Sequence, residues 1–171
     1  VDYVGRRGVP HCGRGPISEA DAAGDLVAAV AWLRSQPSVD ATRISAIGWA
    51  YGGGAVLVAL ADYSEAQLAL SRAVVYYPLC RAVHPWKVAT PVLMLFAGDD
   101  EVAPSEACRS AARRSARPDA VTTVTYHGAL HAFDMKGLPA ETPWAGGMIG
   151  HNPQAAAAAW EKVQQFLKPS P

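Results

Sequence analysis

The sequence predicts an α/β fold with a mainly parallel sheet flanked by helices. Three observations carry this reading. Short β-rich runs alternate with helical periodicities along the chain. Those runs are apolar without strict alternation, as strands buried on both faces are. The polar residues with chemical potential collect where the strands end, which is where ligands sit in such sheets.

Residues 1–3 read as the tail of a strand, and residues 5–16, rich in Gly, Arg and Pro, as a loop. Ser18 can cap a helix, with Asp21 as its acidic partner three residues on. Ala22, Leu26, Ala29, Val30 and Leu33 then recur at helical spacing until Pro37 ends the pattern. Residues 43–49 (RISAIGW) form a buried strand, and a second helix follows at once over residues 51–62. Strands are expected at 73–77, 92–96 and 121–126, and a helix at 104–116. Residues 153–167 close the chain as an alanine-rich helix with Pro153 in its first turn.

The chain of 171 residues carries 15 basic and 15 acidic side chains, and half of it is hydrophobic. One soluble globular domain over 1–171 is expected. The even charge leaves no footprint for nucleic acid or an anionic membrane, and no run reaches the roughly 18 apolar residues of a spanning segment. Cys12, Cys80 and Cys108 cannot all pair, and their spacing fits no zinc or CxxC template. One disulfide is open to them, with buried free thiols the preferred expectation. No signal peptide is visible, and the sequence leaves localisation open, with the cytoplasm slightly favoured.

Gly48-Trp49-Ala50-Tyr51-Gly52 falls between a strand and a helix, where G-x-S-x-G belongs. A turn that tight needs glycines at its flanks, because side chains there would meet the neighbouring strand and helix. Its central side chain stands at a helix N-terminus, whose N–H groups favour developing negative charge, and the Tyr51 N–H is one such donor. The central residue is Ala50, which cannot attack a substrate. An ordinary glycine-rich turn is the competing reading. Gly52-Gly53-Gly54 completes no phosphate-binding motif.

After the strand at 92–96 come Asp99, Asp100 and Glu101, with Pro104 beyond; after the strand at 121–126 come His127 and His131. Nucleophile, acid and histidine follow in that chain order in one hydrolase arrangement. Along these segments the sequence resembles the dienelactone hydrolase family of α/β-hydrolases. The resemblance covers residues 2–6 (DYVGR), 25–37 (DLVAAVAWLRSQP), 43–57 (RISAIGWAYGGGAVL), 90–104 (TPVLMLFAGDDEVAP) and 126–134 (YHGALHAFD). It implies an α/β-hydrolase fold. It places the family's acid on Asp100, in the D-x-x-x-P turn, with Asp99 and Glu101 as alternatives. It places the histidine of G-x-x-H-x-F on His131, leaving His127 a bystander, and the nucleophile, cysteine or serine in the family, on Ala50.

The implied activity is hydrolysis of a small-molecule ester or lactone with no cofactor and no metal. Alanine at position 50 is either a substitution of Ser or Cys, of the kind that traps a bound substrate, or the mark of a non-catalytic ligand-binding relative. The intact acid and histidine favour the first. Arg6 stands where the family carries an arginine that helps to hold an acidic substrate, with Arg7 beside it. Trp49, Trp86 and Phe133 are candidates for an apolar pocket, and Arg81 and His84 for its rim. Family members carry strands before the position of Val1, including a loop with a second oxyanion donor. The chain is therefore expected to be the C-terminal part of the domain, partnered by an upstream segment of the same protein.

Overall fold

The structure is a computed structural model and describes residues 2, 5–8, 17–144 and 146–168. Four parallel strands form the main sheet in the order β1-β2-β3-β4: β1 (Ser45–Trp49), β2 (Arg72–Tyr76), β3 (Val92–Ala97) and β4 (Val121–Tyr126). Helices α1 (Glu19–Arg34), α2 (Ala50–Asp62), α4 (Glu106–Arg113) and α5 (Pro153–Leu167) flank the sheet, with a single turn, α3 (Glu65–Leu68), after α2. The fold class read from the sequence holds.

Alternation along β2 and β3 divides the core in two, because successive strand residues point to opposite faces. Ala73, Val75, Val92, Met94 and Phe96 pack with Val30, Leu57, Leu60, Cys108 and Ala111 from α1, α2 and α4. Val74, Tyr76, Leu93, Leu95 and Ala97 pack with Ala155, Ala159 and Val163 of α5 on the other face. Every residue of β3 is buried, so it shows a continuous apolar run rather than a period of two.

Local chemistry sets the helix starts. Ser18 accepts from the Asp21 N–H while Asp21 reaches back to the Ser18 N–H, a complete capping box. Asn152 caps α5 through the Ala155 N–H, and Pro153 occupies the first turn. Of the expected N-terminal strand tail, Val1 and Tyr3 lie outside the described residues, as does 9–16 of the expected loop; Gly5–Arg7 is a 3-10 turn.

One expectation is corrected, and one element stands where none was expected. Cys80 and Cys108 form a disulfide rather than free thiols, because the fold brings their Cα atoms to 5.4 Å, inside the range a bridge requires. An antiparallel hairpin, β5 (Thr142–Trp144) with β6 (Gly147–Ile149), occupies a stretch with no strand signal. Its three-residue arms, broken by Pro143 and Gly147, are too short for a period to show. The hairpin bears on the site below: Ile149 bridges to His131, and the Gly150 N–H donates to the His131 carbonyl at 3.0 Å.

Candidate active site

Four strand ends lie side by side at the C-terminal edge of the sheet, and the residues that follow them make the site. After β1 the chain turns straight into α2 at Ala50, whose φ is 45°. A left-handed backbone costs a non-glycine residue about 1–2 kcal/mol, so the surroundings must impose it. They do so on two sides. A side chain at Gly48 would put Cβ 2.5 Å from the Gly52 carbonyl oxygen, so only glycine lets the strand and the first turn of α2 approach. On the other side, the Leu79 N–H donates to the Ala50 carbonyl at 3.0 Å. The glycine reading is corrected at one flank: Gly52 has open space where its Cβ would stand, and the close contacts fall instead on Gly53, against Pro78, and Gly54, 2.2 Å from the Leu79 oxygen.

After β3, the Asp100 carboxylate accepts the Ala103 N–H at 2.7 Å through Oδ1, which anchors the turn. Its Oδ2 lies 2.8 Å from Nδ1 of His131, which follows β4. The pair is almost fully buried, with side-chain exposures of 8% for His131 and 3% for Asp100. Burial of such a pair is tolerable only when both partners are present and bonded. Asp99, Glu101 and His127 are exposed. Of the three adjacent carboxylates, Asp100 is the one that meets an imidazole.

After β2 comes Tyr77, also left-handed at φ 32°, whose ring lies 4.5 Å from the His131 ring and edge-on to Phe133. The Tyr77 hydroxyl donates to Oδ1 of Asp134, and the indole Nε1 of Trp49 donates to Oδ2 at 2.8 Å. Burial, and then the Asp134 acceptor, push the Tyr77 hydroxyl far above its ordinary range, so it remains a donor. Trp49 in turn stacks on Tyr76 at 5.5 Å. Sequence reasoning missed Tyr76, Tyr77 and Asp134. Tyr77 had a usable signal, its place at the end of an expected strand; Asp134, three residues past His131, had only proximity.

The other expected site residues separate. Tyr51 sits in the first turn of α2, its hydroxyl donating to the Ile17 carbonyl at 2.7 Å. Trp49 is 45% exposed beside Ala50 and can line a site mouth. Phe133 is fully buried beneath Tyr76, Tyr77 and Tyr126 and supports the site rather than lining it. Trp86 is corrected: it packs on the opposite face of the sheet with Cys80, Cys108 and Ala111, and its bulk fills the core there. Arg6 lies in the 3-10 turn, with its side chain outside the described residues; Arg7 is bound to Asp25 of α1. Arg81 and His84 are exposed, and His84 pairs with Asp62 at 2.9 Å. Among the described residues no three His, Cys, Asp or Glu side chains are grouped to hold a metal ion, and no helix is long and apolar enough to cross a membrane.

Comparison with known proteins places the family and the fold. The model of the dienelactone hydrolase family matches residues 15–170. The chain belongs to the dienelactone hydrolase family. Its fold is shared with a dienelactone hydrolase-like promiscuous phosphotriesterase from metagenomic libraries, at 21% identity and a TM-score of 0.65, over 86% of this chain and 61% of that one. It is also shared with esterase 2 of Thermogutta terrifontis, solved after phosphorylation by paraoxon, at 19% identity and a TM-score of 0.64, over 94% of this chain and 66% of that one. The butyrate-bound form of the same esterase aligns at 18% identity and a TM-score of 0.63, over 90% and 67%. This family member thus spans about two thirds or less of the length of these structures. No curated protein matches it.

Proposed function

We propose that this chain carries the catalytic centre of a carboxylic-ester or lactone hydrolase, with Ala50 at the nucleophile position. The observation that carries the reading is the buried Asp100–His131 pair, set at the adjacent ends of β3 and β4, on the same edge of the sheet where the left-handed Ala50 follows β1 and opens α2. A carboxylate on Nδ1 fixes the imidazole tautomer and steadies its charged form, which leaves Nε2 to exchange protons with a nucleophile. A left-handed residue at a strand-to-helix turn is where a nucleophile is held clear of the sheet.

With Ser or Cys at position 50, His131 takes the nucleophile's proton as the acyl carbonyl is attacked. The Tyr51 N–H, at the positive end of α2, faces the developing oxyanion. His131 then returns the proton to the leaving oxygen. It next activates water, which releases the acid and restores the side chain. Alanine removes the first step, so the chain with Ala50 is inactive while its binding surfaces remain. Butyrate bound to one structural neighbour, and paraoxon phosphorylation of the same protein, are consistent with a small ester as substrate. Ala50 itself favours a second reading, a ligand-binding relative on the same scaffold.

Turnover of an aryl butyrate by Ala50→Ser and Ala50→Cys separates the two. The hydrolase reading expects hydrolysis in at least one variant, abolished by adding His131→Ala. Two folded but inert variants would leave the binding reading in its place.

A further inference from the structure

We propose that Asp134 is a positioning residue of this site, a carboxylate clamp that holds Trp49 and Tyr77 in one arrangement around position 50 and His131. The inference rests on the hydrolase reading for its catalytic consequence and on geometry for the clamp itself.

Three segments meet at this carboxylate. Trp49 immediately precedes position 50, and its indole N–H, a donor with no acceptor capacity, points at Oδ2 over 2.8 Å. Tyr77 immediately follows β2, and its hydroxyl donates to Oδ1. Asp134 itself is three residues beyond His131, on an arm fixed by the Asn152 N–H donating to the Phe133 carbonyl at 2.9 Å. Both carboxylate oxygens are therefore engaged by aromatic donors. That argues against Asp134 as a recognition group for a cationic substrate, and Asp100 already occupies Nδ1 of His131.

The backbone supports the same assignment. Tyr77 adopts φ 32°, a conformation an aromatic residue takes only when held, and its N–H is fastened to the Leu95 carbonyl at 2.7 Å. The result is a tyrosine ring set on the His131 imidazole at 4.5 Å, with its far end tied to Asp134. Without the carboxylate, the indole and the phenol lose their shared acceptor. The turn at position 50 then keeps only backbone and packing contacts to set its register against the histidine arm, which Asp100 holds through Nδ1 of His131.

The test uses the chain as it is, labelled with nitrogen-15, and reads solvent exchange of indole N–H groups. Loss of one resonance in Trp49→Phe assigns the Trp49 signal. The clamp predicts that this N–H exchanges about tenfold or more slowly than those of the exposed Trp32 and Trp160. Asp134→Ala should remove the difference, and Asp134→Asn, with one acceptor oxygen for two donors, should reduce it. In the Ala50→Ser chain, Asp134→Asn should lower kcat by about tenfold or more with a smaller change in KM, since loosened groups cost rate before binding. Tyr77→Phe keeps the ring but loses the donor, and its effect on kcat should not multiply with that of Asp134→Asn.

A Trp49 indole that exchanges as fast as Trp32 in the unsubstituted chain would overturn the clamp. So would protection that is undiminished in a folded Asp134→Asn chain, or kcat effects that multiply independently. Inertness of Ala50→Ser would count against the hydrolase reading alone, because the exchange experiment needs no turnover.

Discussion

Two glycines two residues apart in α2 should respond to alanine with opposite signs. A Cβ at Gly54 would stand 2.2 Å from the Leu79 carbonyl oxygen, about 1 Å short of ordinary contact. The obstacle is backbone, and that backbone donates the Leu79 N–H to Ala50 at 3.0 Å. Overpacking costs about 1–3 kcal/mol and loss of the hydrogen bond about 1 kcal/mol, against a helix-propensity gain of about 1 kcal/mol. Gly54→Ala should therefore destabilise the chain by about 1–3 kcal/mol. Gly52 has nothing within 4 Å of its Cβ position, so Gly52→Ala should stabilise by about 0.5–1 kcal/mol through helix propensity and a less flexible unfolded chain. Urea unfolding of both variants beside the parent measures the two values. Equal effects, or a stabilising Gly54→Ala, would refute the claim that the Leu79 loop braces the turn at Ala50.

Asp100→Asn, placed in an Ala50→Ser chain, should lower kcat by about three to four orders of magnitude while the fold persists, as loss of the tautomer-fixing carboxylate does elsewhere; steady-state kinetics with circular dichroism checks both halves. The Glu19 carboxyl is raised above its ordinary range by burial, partly offset by the Ala82 N–H and by Arg81. Its protonated form is favoured in the folded chain, so its contribution is complete below the unfolded pKa of about 4.3 and is lost as pH rises through the folded one. Glu19→Gln should thus be more stable than the parent at pH 7, with the advantage shrinking toward pH 4 in urea titrations at both values. The Cys80–Cys108 bridge closes a 28-residue separation, and replacing both cysteines with serine should cost about 3–4 kcal/mol, read as a loss of unfolding free energy under oxidising conditions.

The sheet and its helices were legible because buried parallel strands and capped amphipathic helices leave local signals. Residues 121–126 and 153–167 coincide with β4 and α5 to the residue. Asp100 and His131 were readable as candidates because motif spacing and strand ends marked them together; their 2.8 Å contact is a product of the fold. Three features carried no local signal. The Cys80–Cys108 bridge depends on α4 passing over the end of β2, which no spacing reveals. Trp86 looked like a pocket residue because an aromatic side chain after a strand reads the same whether it fills a core or lines a site. Asp134 carries no local signal because its two donors, Trp49 of β1 and Tyr77 just after β2, stand 85 and 57 residues earlier in the chain.

We propose position 50 as the place where this scaffold holds its nucleophile, with His131 as its base. Intact-mass analysis of the Ala50→Ser chain after incubation with paraoxon tests it most directly, because one covalent event suffices and no turnover is needed. The account predicts a single phosphoryl adduct that maps to position 50, is absent from the parent chain, and disappears when His131→Ala is added. A folded Ala50→Ser chain that takes no adduct, or takes one elsewhere regardless of His131, would contradict it.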